Sequence, residues 1–254
     1  MKKTTITRII FFLYSIIRLC GCSVVCFFLF NAYCVFAKGL IRLFAKRTNL
    51  SFGRFVFCFL VGGLPVSSFS QILDSAGSLK SGIAQFNEGN FEGAQVELNK
   101  AVELNPKNSD AFFYLAEVSF VLNESKKAME NYNKAITLNS KNPRAYKGRG
   151  KVKAKLEDFY GSVEDFTKAI ELDKNYADAF FNRALSYLNL KDYKSAIADF
   201  SKVIEINPKD YQAFAQRGSA KFQNGDKKNA CSDWSKAGEL GYFKIYDTIK
   251  KNCK

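Results

Sequence analysis

The stretch ADAFFNRALSYLNLKDYKSAIADFSKVIEINPKD, Ala177–Asp210, decides the fold. It is 34 residues long and recurs, varied, five times in succession. Small residues stand at Gly82, Ala116, Gly150, Ala184 and Gly218, each 34 after the last. Two more small series run Ala94, Ala128, Ser162, Ala196, Ala230 and Ala101, Ala135, Ala169, Val203, Ala237. Between them lies a bulky series, Leu98, Tyr132, Phe166, Phe200 and Trp234. A fixed period of this length marks a stacked array of supersecondary units.

The unit reads as a helical hairpin. Phe180, Ala184, Tyr187 and Leu188 follow the spacing of one helical face. Lys191-Asp192 interrupts the pattern and offers an aspartate to cap a second helix. That helix carries Tyr193, Ala196, Ile197, Phe200, Val203 and Ile204, and Asn207-Pro208 ends it, because proline cannot continue a helix. A Gly or Ala at a helix crossing lets two backbones approach, and a neighbouring aromatic fills the space beside it. One hairpin cannot bury its apolar face alone, so the units must stack.

The length, the Gly/Ala of the first helix, the Ala-x-x-x-aromatic-x-x-Ala of the second and the closing proline resemble the tetratricopeptide repeat family, from Ser75 to about Lys244. The expected fold is all-α: a solenoid of five helix-turn-helix repeats (75–108, 109–142, 143–176, 177–210 and 211–244). Phe243, Ile245, Tyr246 and Ile249 recur at helical spacing, so residues 242–254 are expected to form a capping helix. The resemblance implies a right-handed superhelix whose first helices line a concave groove, and a role in binding proteins or peptides.

Charge divides the chain. All 24 acidic residues lie at or after Asp74, whereas residues 1–70 carry nine of the 38 basic ones. The net charge of +14 is thus nine charges of leader and only five of repeat domain, which argues against nucleic acid as a partner. Residues 1–70 read as a non-globular apolar and basic leader holding five of the seven cysteines. The segment 47–70 has basic residues, an apolar centre at Phe55–Leu64 and a small-x-small exit at Ser68-Phe69-Ser70, the parts of a secretory signal. Export across an inner membrane to the periplasm or cell envelope is therefore expected, with the mature chain starting at Gln71.

Residues 1–45 leave several readings open. One is an over-extended reading frame, with translation starting near Leu50. Another is a transmembrane anchor at Leu19–Ala37, nineteen residues without charge. An organelle transit sequence and a lipoprotein box at Leu19-Cys20-Gly21-Cys22 complete the set. Membrane contact is expected through the leader alone.

The repeat region lacks the ingredients of catalysis. Histidine is absent from the chain, which removes the commonest general base and zinc ligand. No Gly-rich phosphate loop, nucleophile elbow or metal-spaced Cys/His cluster appears. The neighbouring carboxylates Glu157-Asp158 and Glu164-Asp165 read as solvated helix surface. No enzyme activity, cofactor or metal is expected.

The third repeat departs most in charge, with Arg144, Lys147, Arg149, Lys151, Lys153 and Lys155 on one helix. Arg144, Lys147, Lys151 and Lys155 fall at spacings of three and four and so share a face. The family geometry would put this row on the groove between Phe113 and Phe181, where it suits an acidic, partly apolar protein or peptide or, as a second reading, an anionic polymer. A solvated lysine face is the plain alternative. Some family members clamp a terminal carboxylate with Lys and Asn on successive first helices. Lys147 and Asn182 match part of such a clamp, but Phe113 and Glu117 depart from it.

Cys231 and Cys253 are the only cysteines beyond the leader. The ending ACSDWSKAGELGYFKIYDTIKKNC resembles the close of many exported bacterial repeat proteins, which implies a bridge between them in an oxidising compartment. Two functional classes fit: an exported or membrane-tethered adaptor, and a structural or co-chaperone-like subunit of a larger envelope complex.

Overall fold

The computed structural model describes residues 66–253. The candidate anchor at 19–37 and most of the signal-like segment 47–70 lie outside the described residues. Eleven helices follow one another among them: α1 Val66–Asn87, α2 Phe91–Leu104, α3 Ser109–Val121, α4 Ser125–Leu138, α5 Pro143–Lys155, α6 Phe159–Leu172, α7 Ala177–Asn189, α8 Tyr193–Ile206, α9 Tyr211–Gln223, α10 Lys227–Glu239 and α11 Ile245–Asn252. Helix α1 extends N-terminally to Val66, so residues 66–70, expected at the end of the non-globular leader, are helical. Among the described residues no helix is long and apolar enough to cross a membrane.

Local chemistry at the turns keeps the 34-residue period. Asn90, Asp158, Asp192 and Asp226 cap the second helices by accepting the backbone N–H three residues on, from Gly93, Gly161, Ser195 and Asn229. At the equivalent position Glu124, one methylene longer, makes no cap bond and takes Lys127 and Gln95 instead. At the far end, Asn105, Asn139, Asp173 and Asn207 each return a backbone N–H to the carbonyl four residues back. Between the helices of each hairpin one residue adopts the left-handed region: Gly89, Asn123, Glu157, Lys191 and Gly225. Glycine does this without cost, whereas Glu157 (φ 63°) and Lys191 (φ 60°) hold a conformation that crowds a Cβ.

The core is built where the small and bulky series meet. Leu98, Tyr132, Phe166, Phe200 and Trp234 are buried, as are Ala116 and Ala184. A Cβ added at Gly82, Gly150 or Gly218 would stand 2.7, 2.8 or 2.6 Å from Leu98, Phe166 or Trp234 respectively. The hairpin partners therefore cross closer than any side chain but hydrogen allows at these three positions. Each second helix then packs on the first helix of the following repeat. First helices also touch one another, α3 with α5 and α5 with α7, whereas among the described residues no two second helices approach as closely. The array therefore curves with its first helices on the inner side.

Polar contacts reinforce the last three repeats at the same period. Arg149, Arg183 and Arg217 each grip an aspartate on the second helix of their own repeat with two parallel hydrogen bonds. Nη2 lies 2.6, 2.8 and 2.7 Å from Asp165, Asp199 and Asp233, and Nε lies 2.8 Å away in all three. The third nitrogen reaches back to the preceding repeat, donating to Asn133, Thr167 or Ser201 at 2.8–3.0 Å. Lys153 and Lys221 add a second cation to Asp165 and Asp233. The carboxylate beside Arg149 holds its guanidinium above its ordinary pKa. All three aspartates are buried, between 4% and 6% exposed. This corrects the expectation for Asp165, which is core rather than solvated surface; its neighbour Glu164 is exposed, and Asp158 is a helix cap. The first two repeats lack this staple: Leu115 stands at the arginine position of the second repeat and packs with Ala94, Leu98 and Val118.

Two stability effects follow. Arg183→Met should cost about 3–5 kcal/mol in urea unfolding because it strands the buried Asp199 carboxylate. The double variant Arg183→Met/Asp199→Leu should recover most of that loss, since apolar replacement of both partners leaves no unpaired charge. Lys191→Gly should raise stability by about 0.5–1 kcal/mol by relieving the left-handed backbone, where glycine inside a helix would lower it.

Candidate interaction surface

Helix α5 sets the candidate surface, because proline at its first position and the Asn142 cap start it cleanly. Its face toward the inner side of the array carries the row of cations. Arg144 and Lys155 are exposed, and Lys147 and Lys151 are half-buried. None of the four hangs free in solvent. The Arg144 guanidinium lies 4.7 Å from the Phe113 ring centre and 5.8 Å from that of Tyr114. Lys151 and Lys155 both stand over Phe120 of α3, at 4.9 and 5.2 Å. Cations over ring faces gain from the ring quadrupole, which fixes where these long side chains lie.

Their remaining partners differ. Lys155 donates to the side-chain oxygen of Asn123 at 2.6 Å. Lys147 sits over Tyr176 and 3.5 Å from the Asp178 carboxylate. Burial alone would lower the Lys147 pKa, but Tyr176, Asp178 and Glu117 outweigh it and hold the ammonium above its ordinary value. Arg144 and Lys151 have no carboxylate within ion-pair distance among the described residues. Behind the row, the buried Tyr132 hydroxyl donates to Glu117 at 2.6 Å; burial and that carboxylate push the phenol far up, so it stays protonated. Gly148 makes this possible, since a Cβ there would overlap the Tyr132 ring.

The expected flanking residues fare unequally. Phe113 does not line the groove: it is 2% exposed, packed edge-on to Tyr114 beneath Arg144, so the accessible floor belongs to the half-buried Tyr114 and Phe120 instead. The reason is its position one turn before Ala116, which turns it into the hairpin core. Phe181 is half-buried and packs edge-on to Phe200. Asn182 donates its amide to the Asp178 carbonyl on its own helix, and Lys147 faces the Asp178 carboxylate. The two residues that match part of a carboxylate clamp thus both engage Asp178, Asn182 at its backbone carbonyl and Lys147 at its carboxylate. Sequence reading missed Phe120 and Tyr114; the signal was their place three residues either side of Glu117 on α3, on the side facing α5.

Cys231 and Cys253 form a disulfide between α10 and the end of α11. Among the described residues no three His, Cys, Asp or Glu side chains converge as metal ligands.

Three stretches match family models described as tetratricopeptide repeats: residues 79–108, 118–157 and 177–210. No curated protein matches the chain in sequence. Solved structures do match in fold. The crystal structure of MamA superposes with a TM-score of 0.61 at 23% identity, covering 66% of this chain and 91% of that one. YrrB, described as a TPR protein with an unusual peptide-binding site, gives 0.60 at 22% over 68% and 90%. PilF of Pseudomonas aeruginosa gives 0.61 at 23% over 68% and 78%. With hairpins in unbroken register from α1 to α10, this chain is a tetratricopeptide-repeat protein.

Proposed function

We propose that the protein is a non-enzymatic interaction scaffold working outside the cytoplasm, and that it takes an acidic, partly apolar segment of a partner protein along the α5 face. Tetratricopeptide arrays are in general scaffolds for protein interactions, and the YrrB neighbour is described as binding peptide. The observation that carries the finer reading is the pairing of Lys151 and Lys155 over the single ring of Phe120. Two like charges so placed repel each other, a cost set against what each ammonium gains from the ring. A partner carboxylate set between them removes that repulsion, while Phe120, Tyr114 and the exposed Val121 give its neighbouring side chains an apolar floor. The export half of the proposal rests on the signal-like segment 47–70 and on the disulfide, which belongs in an oxidising compartment.

A fluorescein-labelled dodecapeptide of alternating glutamate and phenylalanine provides a defined probe. Its affinity should fall as salt rises, because exposed charge pairs are screened. Lys151→Glu/Lys155→Glu should weaken binding more than about tenfold, each lost charge contact contributing on the order of 1 kcal/mol, with helicity and melting unchanged. Lys147 is the wrong residue for this test, since a carboxylate there would face Asp178 and Glu117 and disturb the fold. Equal binding by the double variant would move the partner site off α5.

A further inference from the structure

Helix α11 is held differently from every helix before it. It starts at Ile245, 34 residues after the start of α9, so it occupies the place of a sixth first helix. It lacks that helix's packing residues. The third position of α3, α5, α7 and α9 is a fully buried alanine, Ala111, Ala145, Ala179 or Ala213, followed by a bulky aromatic. The same positions in α11 are Asp247, which is exposed, and Thr248. Only Ile245 is buried, no side chain caps the N-terminus, and the helix packs chiefly on α10. Phe243 is largely exposed, and Tyr246 is about half exposed with its ring against Gly238 of α10. Eight residues are too few to form a helix alone in water. What substitutes for the missing contacts is the Cys231–Cys253 bond, which ties the end of α11 to α10.

We propose that α11 is a redox-set latch: oxidised, it covers the outer face of the last repeat, and reduced, it opens while the rest of the array stays folded. A dithiol reductant supplies two electrons and two protons. The Cys231–Cys253 bond breaks, each sulfur takes one hydrogen, and the reductant leaves as its own disulfide. Both cysteines are half-buried, within reach of such exchange. The bond closes a loop spanning 22 residues, so its loss multiplies the open population by about 100-fold. Opening uncovers Trp234, Ala237 and Gly238, the repeat positions that α9 covers on the fourth repeat as Phe200, Val203 and Ile204. The latch therefore controls access to a face shaped for a helix. Its working is independent of what binds α5.

The chain carries its own reporter, since Trp234 is the only tryptophan and lies in the cluster that α11 completes. Dithiothreitol should shift its emission to the red and speed hydrogen exchange of the amides of 249–253 about 100-fold, leaving α3 to α8 unchanged. Cys231→Ser/Cys253→Ser without reductant should reproduce both effects, which removes any contribution of the leader cysteines. Unchanged exchange in α11 on reduction would overturn the latch. So would exchange that accelerates in α3 to α8 together with α11, since the bond would then stabilise the whole array rather than its end.

Discussion

Everything in this array depends on two helices of a hairpin crossing at a residue small enough to let the bulky side chain of the second lie against the first. Gly82, Gly150 and Gly218 face Leu98, Phe166 and Trp234 with less space than a methyl group needs. That proximity sets the angle of each hairpin, and a constant angle is what allows a fixed period to stack. A hairpin with a wider crossing would bury less apolar surface and would present its second helix to the next repeat in a different register. The turn chemistry serves the same end: left-handed residues at 34-residue intervals return the chain at one fixed geometry even where glycine is absent.

Once the crossing is fixed, the inner face of each first helix is free to vary. This is why six cations can accumulate on α5 without harm to the fold. They divide by where their helix points them. Arg149 and Lys153 turn inward to the buried Asp165 and become structure, whereas Arg144, Lys147, Lys151 and Lys155 lie over rings of the neighbouring helices. The desolvation of Asp165, Asp199 and Asp233 is offset by bidentate arginine and by a third bond to the repeat before, so the staple acts across repeats as well as within them. The two N-terminal repeats lack the arginine: Ser81 stands in its place in the first, and in the second Leu115 packs on apolar neighbours.

Most of the fold was legible because it is periodic: a Gly or Ala and a bulky residue 16 positions apart, repeated at 34, state a crossing. The Arg–Asp staple has the same spacing, 149 to 165, 183 to 199 and 217 to 233, and was just as periodic. It was missed because adjacent acidic residues suggest solvent, and burial depends on which side of the second helix faces the hairpin. The α5 row was legible as a face, but its floor was not. Phe113 and Phe120 are chemically identical in sequence, and only the rotation of α3 sends one into the core and leaves the other beneath Lys151 and Lys155. The bond between Cys231 and Cys253 could be anticipated from the resemblance of the chain's ending, whereas the sparse packing of α11 could be seen only once its neighbours were in place.

Equilibrium unfolding of Gly218→Ala tests the crossing constraint most directly. Alanine is the better helix former by roughly 1 kcal/mol, so helix propensity alone would stabilise the variant by that amount. The new Cβ, however, would meet the Trp234 ring at 2.6 Å and the Ala230 carbonyl oxygen at 3.1 Å, neither of which can yield without moving the helix. Close crossing therefore predicts a loss of about 1–3 kcal/mol from overpacking. A gain in stability would contradict it and would mean that the hairpins are set by something other than their contact at the small residue.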